Sequence, residues 1–554
     1  MTDAEHRKPH SDEARGVFDP EVTSEFSVPA GLDVARAGGE PETTSEFAVP
    51  EGLDVPAPTA EAEGSAFTTP STYVAGQAPP AFTPPGGLPR VSLTKDAPWQ
   101  DRMRTMLRMP VAERPAPEAV QKADDAGPAV PRVLDLTLRI GELLLAGGEG
   151  AEDVEAAMFA VCRSYGLDRC EPTVTFTLLS ISHQPSLVDD PVTASRTVRR
   201  RATDYTRLAA VFRLVDDLSD PENHLSLEEA YRRLAEIRRN RHPYPTWVLT
   251  GASGLLAGAA SVLVGGDVLV FFAAALGAML GDRLAWWCAG RGLPEFYQFV
   301  VAAMPPAAVG IALTVAHIDV GASAVITGGL FALLPGRALV AGVQDGLTGF
   351  YITAAARLLE VMYLFVGIVV GVLVVLYFGV QLGAELNPDA ALTIAERPGL
   401  QIAASMLLSL TFAVLLQQER STVLAVTLNG GVAWCVYGAL HYAGNLSPVA
   451  STAVAAGLVG LFGQLLSRYR YASALPYTTA AIGPLLPGSA TYFGVLSIAQ
   501  NEISSGLASL TKAAALAMAI AIGVNLGAEL SRLMLRVPGA ATAGRRAAKR
   551  TRGF

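Results

Sequence analysis

Four ionisable residues lie within or beside apolar stretches that are long enough to cross a membrane: Arg337, Asp345, Arg357 and Glu360. An arginine can hold a carboxylate through two parallel hydrogen bonds, and an acid can hold an ammonium group. Ionisable side chains at membrane depth are costly and are usually paired or functional. These residue types therefore predict a binding site for a small charged molecule. Arg357 and Glu360 can equally form a local ion pair at a helix end, because they are three residues apart.

The tetrapeptide LLPG precedes these residues at 333–336 and occurs again at 485–488. The same shift of 152 residues aligns IVVGV at 368–372 with IAIGV at 520–524. Two matching blocks in one register indicate two homologous halves of five spans each. A repeat with an odd number of spans enters the membrane with its second copy inverted. Inverted halves are an architecture of secondary transporters, with the substrate site near the membrane midplane.

Each LLPG places a helix-breaking pair inside an apolar stretch. Interrupted backbone hydrogen bonding is tolerated in lipid only where protein or a water-filled cavity covers it. We therefore expect two discontinuous helices that face each other across a pathway, although a plain proline kink packed against neighbouring helices has the same sequence signature. The residues at these predicted breaks are Pro335, Gly336, Pro487 and Gly488.

Ten apolar runs follow residue 244, and each can cross about 30 Å of hydrocarbon. They cover residues 245–265, 268–287, 297–317, 322–344, 355–380, 398–416, 421–442, 448–467, 473–495 and 506–535. Alternate loops hold the basic sequences AGRG, QQERS and SRYRY, whereas the opposite loops are mostly acidic or neutral. Basic loops stay on the cytoplasmic side. The pattern predicts a polytopic α-helical protein of the cell membrane with both termini cytoplasmic.

The composition divides the rest of the chain. Residues 1–131 contain 19 of the 36 prolines and little apolar periodicity, which predicts a disordered, acidic, proline-rich tail. Residues 132–242 predict a small cytoplasmic α+β domain. The first five-span half is then 243–384, the second is 385–536, and a basic cytoplasmic tail covers 537–554.

The α+β domain has its own local signals. Apolar residues at helical spacing predict helices over 133–145 and 151–166. The alternation in TVTFTLLSIS predicts one half-buried strand over 173–182, with Val174, Phe176 and Leu178 on its inner side, and PVTASRTVRR supplies a partner strand. Two helices follow, and the second begins with a capping box.

Several classes of function lack support in the sequence. Four cysteines without metal-ligand spacing predict no metal site, no ATP-binding GxxxxGK[ST] motif occurs, and no basic stripe indicates nucleic acid. We expect no cofactor and, from the opening MTDAEHRKPH, no signal peptide. A cluster of polar residues suits a hydrolase or, more simply, a solvated loop: His183, Ser186, Asp189 and Asp190.

Three segments together resemble the threonine/serine exporter family: LLLAGGEGAEDVEAAM, LLPGRALVAGVQDGLTGFYITAAARLLE and LLPGSATYFG. The resemblance extends over about residues 133–535. It implies a cytoplasmic N-terminal domain, ten spans and export of small hydroxy amino acids by the proton motive force. It also puts Pro335, Gly336, Asp345, Arg357, Pro487 and Gly488 at functional positions. Two-chain relatives of this family are linked to dicarboxylate export, so the substrate does not follow from membership.

The first functional hypothesis is a secondary exporter of threonine and serine, and not an enzyme. Its substrate needs a cation, an acid and a hydroxyl partner. The candidates are Arg337 or Arg357, Asp345 or Glu360, and Ser489 or Ser497. The second hypothesis is a dicarboxylate exporter, which would use both arginines. The third is a membrane-tethered hydrolase, and the fourth is an uncoupled channel or scaffold. The expected partners are the substrate, a proton and the lipid bilayer, and association into a homo-oligomer stays open.

Overall fold

The computed structural model describes residues 99–107, 130–186, 188–199, 204–220, 225–240, 244–318, 321–383, 397–470, 473–499 and 502–534. All of them belong to one unit of the chain, Pro89–Phe554. Most of the tail predicted over 1–131, and all of the tail predicted over 537–554, lie outside the described residues.

A short helix, α1 (Trp99–Leu107), lies inside the segment predicted to be disordered. Trp99, Met103 and Met106 are buried, and the Trp99 ring centroid lies 5.6 Å from that of Phe212. The prediction of disorder through residue 131 is therefore wrong for this helix. Its three apolar residues share one helical face, and that local pattern outweighs the proline-rich composition around it.

The α+β domain consists of four further helices and one sheet. Its elements are α2 (Val130–Ala146), α3 (Ala151–Ser164), β1 (Cys170–Thr175), β2 (Leu178–His183), β3 (Val192–Thr197), α4 (Tyr205–Ser219) and α5 (Leu227–Arg239). The strands form an antiparallel sheet in the order β1-β2-β3. Leu134, Phe159, Leu179 and Phe212 are buried in the core between helices and sheet. The side chain of Ser226 caps α5 by accepting from the Glu229 N–H.

The strand predicted over 173–182 is in fact a hairpin. Thr175 pairs with Leu178, and the two residues between them form the turn, where Phe176 has a φ of 51°. The turn shifts the inward alternation by one position, so Leu179 and Ile181 are buried while Leu178 is 44% exposed. The prediction that Phe176 and Leu178 face inward is therefore wrong. An alternating sequence does not reveal a two-residue turn that lacks glycine or proline.

Eight described helices are long and apolar enough to cross a membrane. They are α6 (Thr246–Leu263), α7 (Val268–Gly290), α8 (Glu295–Val315), α11 (Tyr351–Gln381), α12 (Pro398–Leu415), α13 (Arg420–Gly438), α14 (Pro448–Arg470) and α17 (Ile503–Met534). The chain is thus a polytopic helical membrane protein.

Two other apolar segments are interrupted helices. The first consists of α9 (Ala322–Phe331) and α10 (Gly336–Leu347). The second consists of α15 (Leu475–Thr479), a 3₁₀ turn (Gly483–Leu485) and α16 (Gly488–Ala499). In each, a new helix begins at the glycine of LLPG. These two segments occupy the positions of the fourth and ninth apolar runs of the sequence.

Candidate functional site

The two interrupted helices contact each other at their breaks. A Cβ atom added to Gly336 would lie 2.7 Å from Cδ1 of Leu486, and one added to Gly488 would lie 3.2 Å from Cδ1 of Leu334. A Cβ could not occupy the first position without displacing its neighbour. The two contacts are equivalent under the shift of 152 residues. The glycine of each LLPG therefore allows close approach of the other copy.

The ends of α10 and α16 share a second equivalent feature. The Phe350 N–H donates to the backbone carbonyl of Asp345 at 2.8 Å, and the Glu502 N–H donates to that of Ser497, also at 2.8 Å. Asp345 and Ser497, which the shift of 152 residues relates, thus accept the same hydrogen bond from the residue five positions further along the chain.

Asp345 and Arg357 form a buried ion pair. Nη1 of Arg357 lies 3.0 Å from Oδ2 of Asp345, and their side chains are 4% and 1% exposed. Asp345 lies in the last turn of α10 and Arg357 in the second turn of α11, so the short link between the helices brings them together. Removing one partner of a buried pair leaves an uncompensated charge and is strongly destabilising.

A loop of the α+β domain forms hydrogen bonds with the same two side chains. This loop, residues 147–150, joins α2 to α3, and together with Ala151, the first residue of α3, it is called here the docking loop. The Ala151 N–H donates to Oδ1 of Asp345 at 3.0 Å. Nη2 of Arg357 donates to the backbone carbonyl of Glu149 at 2.9 Å. The pair is therefore bound to backbone groups of the domain rather than exposed to water.

The side chain of Glu149 reaches the second half of the membrane region. Its two carboxylate oxygens accept from the Ser473 hydroxyl at 3.0 and 3.1 Å. Burial raises the pKa of Glu149 to about 7, against the lowering effects of Ser473, Arg104 and Arg357. Sequence reasoning gave neither Glu149 nor Ser473 a role. The available signal was the acid set between glycines in AGGEG, a composition suited to a tight loop.

The domain also contacts the membrane region away from Arg357. Thr353 at the start of α11 accepts from the Phe176 N–H at 3.1 Å. The Tyr205 N–H donates to the Leu416 carbonyl at 3.1 Å, between α12 and α13. Arg213 pairs with Glu419 in the same loop. Among the described residues, the domain thus contacts the adjoining ends of α10 and α11, the α12–α13 loop and the residues after α14.

Little space remains beside Arg357. A cavity of about 30 Å³ lies between the domain and α10, lined by residues that include Gly148, Phe176, Ala338 and Arg357. This volume suits one or two water molecules. This cavity beside Arg357 therefore has no room for a larger solute.

The other candidate residues lie at different places. Arg337 is the second residue of α10, and its side chain lies outside the described part of the structure. Glu360 is half-buried, one turn beyond Arg357 in α11. Ser489 is half-buried at the start of α16, and Ser497 is buried near its end. The structure thus brings together Asp345 and Arg357, and the described contacts do not join Ser489 or Ser497 to them.

The residues considered for a hydrolase do not form a nucleophile–base pair. The Ser186 hydroxyl donates to Oδ2 of Asp189 at 2.7 Å in an exposed loop. His183 is buried, and its Nδ1 lies 3.5 Å from Sγ of Cys170. The serine therefore makes a local loop contact, as expected of a solvated segment.

Comparison with known proteins gives consistent matches along the chain. A family model for threonine/serine exporters, ThrE, matches residues 135–379, and a second, described as "Threonine/Serine exporter, ThrE", matches residues 401–529. A Mycobacterium tuberculosis protein named "Probable threonine/serine exporter" is 36% identical over 410 residues, which cover 72% of this chain and 76% of that protein. The "Threonine/serine exporter" of Corynebacterium glutamicum is 30% identical over 448 residues, 79% of this chain and 90% of the relative. No solved structure matches.

Proposed function

Because the chain belongs to the threonine/serine exporter family, we propose that it exports threonine and serine by secondary active transport, driven by the proton motive force. The buried ion pair between Asp345 and Arg357 carries this proposal. It offers an acid and a planar cation side by side at the end of an interrupted helix. A zwitterionic amino acid presents an ammonium group and a carboxylate at a similar spacing.

In the proposed site, Arg357 binds the substrate carboxylate and Asp345 binds the ammonium group. The guanidinium is planar and can hold both carboxylate oxygens at once. Glu360 and Arg337, on the same two helices, supply further charge for the passage of the substrate. Ser489 and Ser497 are the proposed hydroxyl partners in the second half.

We further propose ten spans in two inverted halves. The reciprocal contacts of Gly336 with Leu486 and of Gly488 with Leu334 support this, because homologous halves related by a two-fold axis make equivalent contacts in pairs. The matching turns after Asp345 and Ser497 support it as well. Pro335 and Pro487 then mark the breaks that face the substrate pathway.

The α+β domain and both termini are proposed to be cytoplasmic. The domain contacts the start of α11, the α12–α13 loop and the residues after α14. The α12–α13 loop overlaps the basic sequence QQERS, and the basic sequence SRYRY, residues 467–471, ends two residues before Ser473. Basic loops stay on the cytoplasmic side of a bacterial-type membrane. The domain is then placed where substrate enters an exporter.

Counterflow in proteoliposomes tests the substrate. Vesicles loaded with unlabelled threonine should accumulate labelled threonine and serine, whereas labelled succinate should not enter. A dicarboxylate would meet the buried carboxylate of Asp345 beside Arg357, and that repulsion argues against it. Exchange of succinate without exchange of threonine would replace this proposal with dicarboxylate export. Protein-free vesicles and vesicles with the Arg357→Lys variant serve as controls.

A further inference from the structure

The docking loop presents a hydrogen-bond acceptor to Arg357 and a hydrogen-bond donor to Asp345, as the carboxylate and ammonium groups of an amino acid would. The Glu149 carbonyl accepts from Arg357, where a substrate carboxylate would bind. The Ala151 N–H donates to Asp345, where a substrate ammonium would bind. The loop and the substrate therefore compete for one pair of side chains. For export to proceed, the loop must leave.

Glu149 is placed to sense that movement. Its side chain is 5% exposed, and it contacts all three parts of the protein. It belongs to the α+β domain, its backbone carbonyl binds Arg357 of the first half, and its carboxylate binds Ser473 of the second half. When the loop leaves, all of these contacts are lost together.

The charges around Glu149 favour the uptake of one proton. The described ionisable side chains of this cluster are Glu149, Arg104 on α1, Asp153 on α3, Asp345 on α10 and Arg357 on α11. Arg104 pairs with Asp153, and Arg357 pairs with Asp345. Glu149 is then the acid of the cluster that lies outside these two ion pairs. Its carboxylate accepts from the hydroxyl of Ser473 and is also near Arg104 and Arg357. Fully ionised, the cluster carries one excess negative charge, and one proton neutralises it.

We propose that Glu149 is a proton-binding site contributed by the α+β domain. Protonated Glu149 holds the docking loop on Arg357 and Asp345, and loss of the proton releases the loop so that substrate can bind. The proton moves between the Glu149 carboxyl and water, and no covalent bond to substrate forms or breaks. This inference rests on the proposed exporter function, in which Arg357 and Asp345 bind the substrate.

The direction of the pH effect follows from the two states of Glu149. The pKa of its carboxyl is about 7 in the docked state, because burial disfavours the charge, and has its ordinary value of 4.5 in water. Docking therefore takes up a proton. Docking is strongest below pH 4.5. Its equilibrium constant falls about tenfold per pH unit as the pH rises from 4.5 towards 7, and it is constant above pH 7.

A second acid of the domain titrates in the same pH range, and its effect must be distinguished from that of Glu149. Burial raises the pKa of Glu155 to about 7 as well. Its carboxylate accepts from the Val174 N–H at 3.0 Å, inside the domain. The Glu155→Gln variant therefore serves as a control, together with Glu152→Gln, which removes the same charge from the first turn of α3.

The test measures docking directly in the full chain. The docking loop has only four residues between α2 and α3, both of which belong to the domain core, so it cannot leave Arg357 unless the domain shifts. Spin labels at Asp190→Cys in the domain and at Gly290→Cys, the last residue of α7, report that shift by pulsed electron paramagnetic resonance. Both sites are exposed, and Cys435→Ser removes the exposed native thiol.

In proteoliposomes, we expect the docked distance to dominate at pH 5 and the equilibrium constant for docking to fall about 40-fold by pH 7. Glu149→Gln should stay docked at every pH and should slow threonine counterflow. Glu149→Asp, Glu152→Gln and Glu155→Gln should keep the response. A wild-type distance that ignores pH, or a Glu149→Gln variant that still responds, would overturn the inference.

The two proposals can fail separately. The spin-label distances require no transported substrate, so a pH response that depends on Glu149 stands even if threonine is not exchanged. In the converse case, the wild type exchanges threonine while the Glu149→Gln variant stays docked and exports at the wild-type rate. The exporter function would then stand. That result would remove the role of Glu149 in it.

Discussion

Gly336 lies so close to Leu486 that a single methyl group on the glycine would meet the leucine Cδ1 at 2.7 Å. The contact joins the interrupted helices of the two halves at their breaks, and Gly488 makes the equivalent contact with Leu334. Both helices start at these glycines, so a displaced side chain there would move the start of α10 or α16. The breaks are therefore a packed junction between the halves, and not only interruptions in two helices.

Gly336→Val should destabilise the protein and reduce export, because the added side chain overlaps Leu486. Overpacking of this kind costs about 1–3 kcal/mol. Thermal unfolding in detergent measures the first effect, and counterflow per unit of inserted protein measures the second. Gly399→Ala is the matched control, since Gly399 also lies at a helix start and nothing lies within 4 Å of its added Cβ. Equal unfolding temperatures for Gly336→Val and Gly399→Ala would show that the junction tolerates expansion.

The sequence predicted much of this architecture, for identifiable reasons. Long apolar runs define the membrane helices, because each must span the hydrocarbon. The repeated LLPG predicted where the two interrupted helices restart, because proline and glycine disfavour a continuous helix. The hairpin at Phe176 was missed, since its turn lacks the residues that mark turns.

The candidate site was predicted only in part. Asp345 and Arg357 could be selected from their types and their place beside apolar runs. The docking loop could not, because Glu149 is separated from Arg357 by 208 positions in the chain. Its contacts depend on how the domain packs on the membrane helices, and periodicity carries no information on such packing. For the same reason, the pairing of Arg357 with Asp345, rather than only with its helical neighbour Glu360, needed the folded structure.

Arg357→Lys should abolish most export while the protein still inserts. A lysine keeps the positive charge beside Asp345 but cannot hold two oxygens of one carboxylate in a plane. The loss of one charge-assisted hydrogen bond, worth about 1.5–3 kcal/mol, corresponds to about a 10- to 100-fold slower counterflow. Export normalised to membrane abundance is the measurement. Wild-type export by this variant would mean that Arg357 only serves the fold.

Asp345→Asn should abolish amino-acid exchange and still allow the domain to dock. The asparagine oxygen can accept from the Ala151 N–H as Asp345 does, but the substrate ammonium loses its counter-charge. Because the buried Arg357 also loses its partner in this variant, counterflow is normalised to folded, membrane-inserted protein. The spin-label distance at pH 5 should stay that of the docked state, while threonine counterflow falls to background. Retained counterflow would assign the ammonium to another acid, with Glu360 the first to be tested by the same change.

Trp99→Ala should destabilise the α+β domain, because the indole is 2% exposed and packs on Phe212. Truncating a buried tryptophan costs about 3–5 kcal/mol. Calorimetry on the full chain should show a lower unfolding temperature for this variant. A chain lacking residues 2–95 should unfold like the wild type, as it retains α1. Equal unfolding temperatures for the wild type and Trp99→Ala would show that α1 adds nothing to the domain.

Reporters on the two sides of the membrane test the inverted arrangement. A reporter fused after Phe554 and one inserted within 384–396 should report opposite sides, with the C-terminus cytoplasmic, because ten spans place the loop between the halves outside. A third reporter in the α7–α8 loop should agree with the C-terminus, since that loop carries the basic AGRG sequence. Two further insertions, after Gly349 and after Glu502, compare the equivalent ends of α10 and α16. Inverted halves require these two to report opposite sides, and the same side for both would show that the halves are parallel repeats.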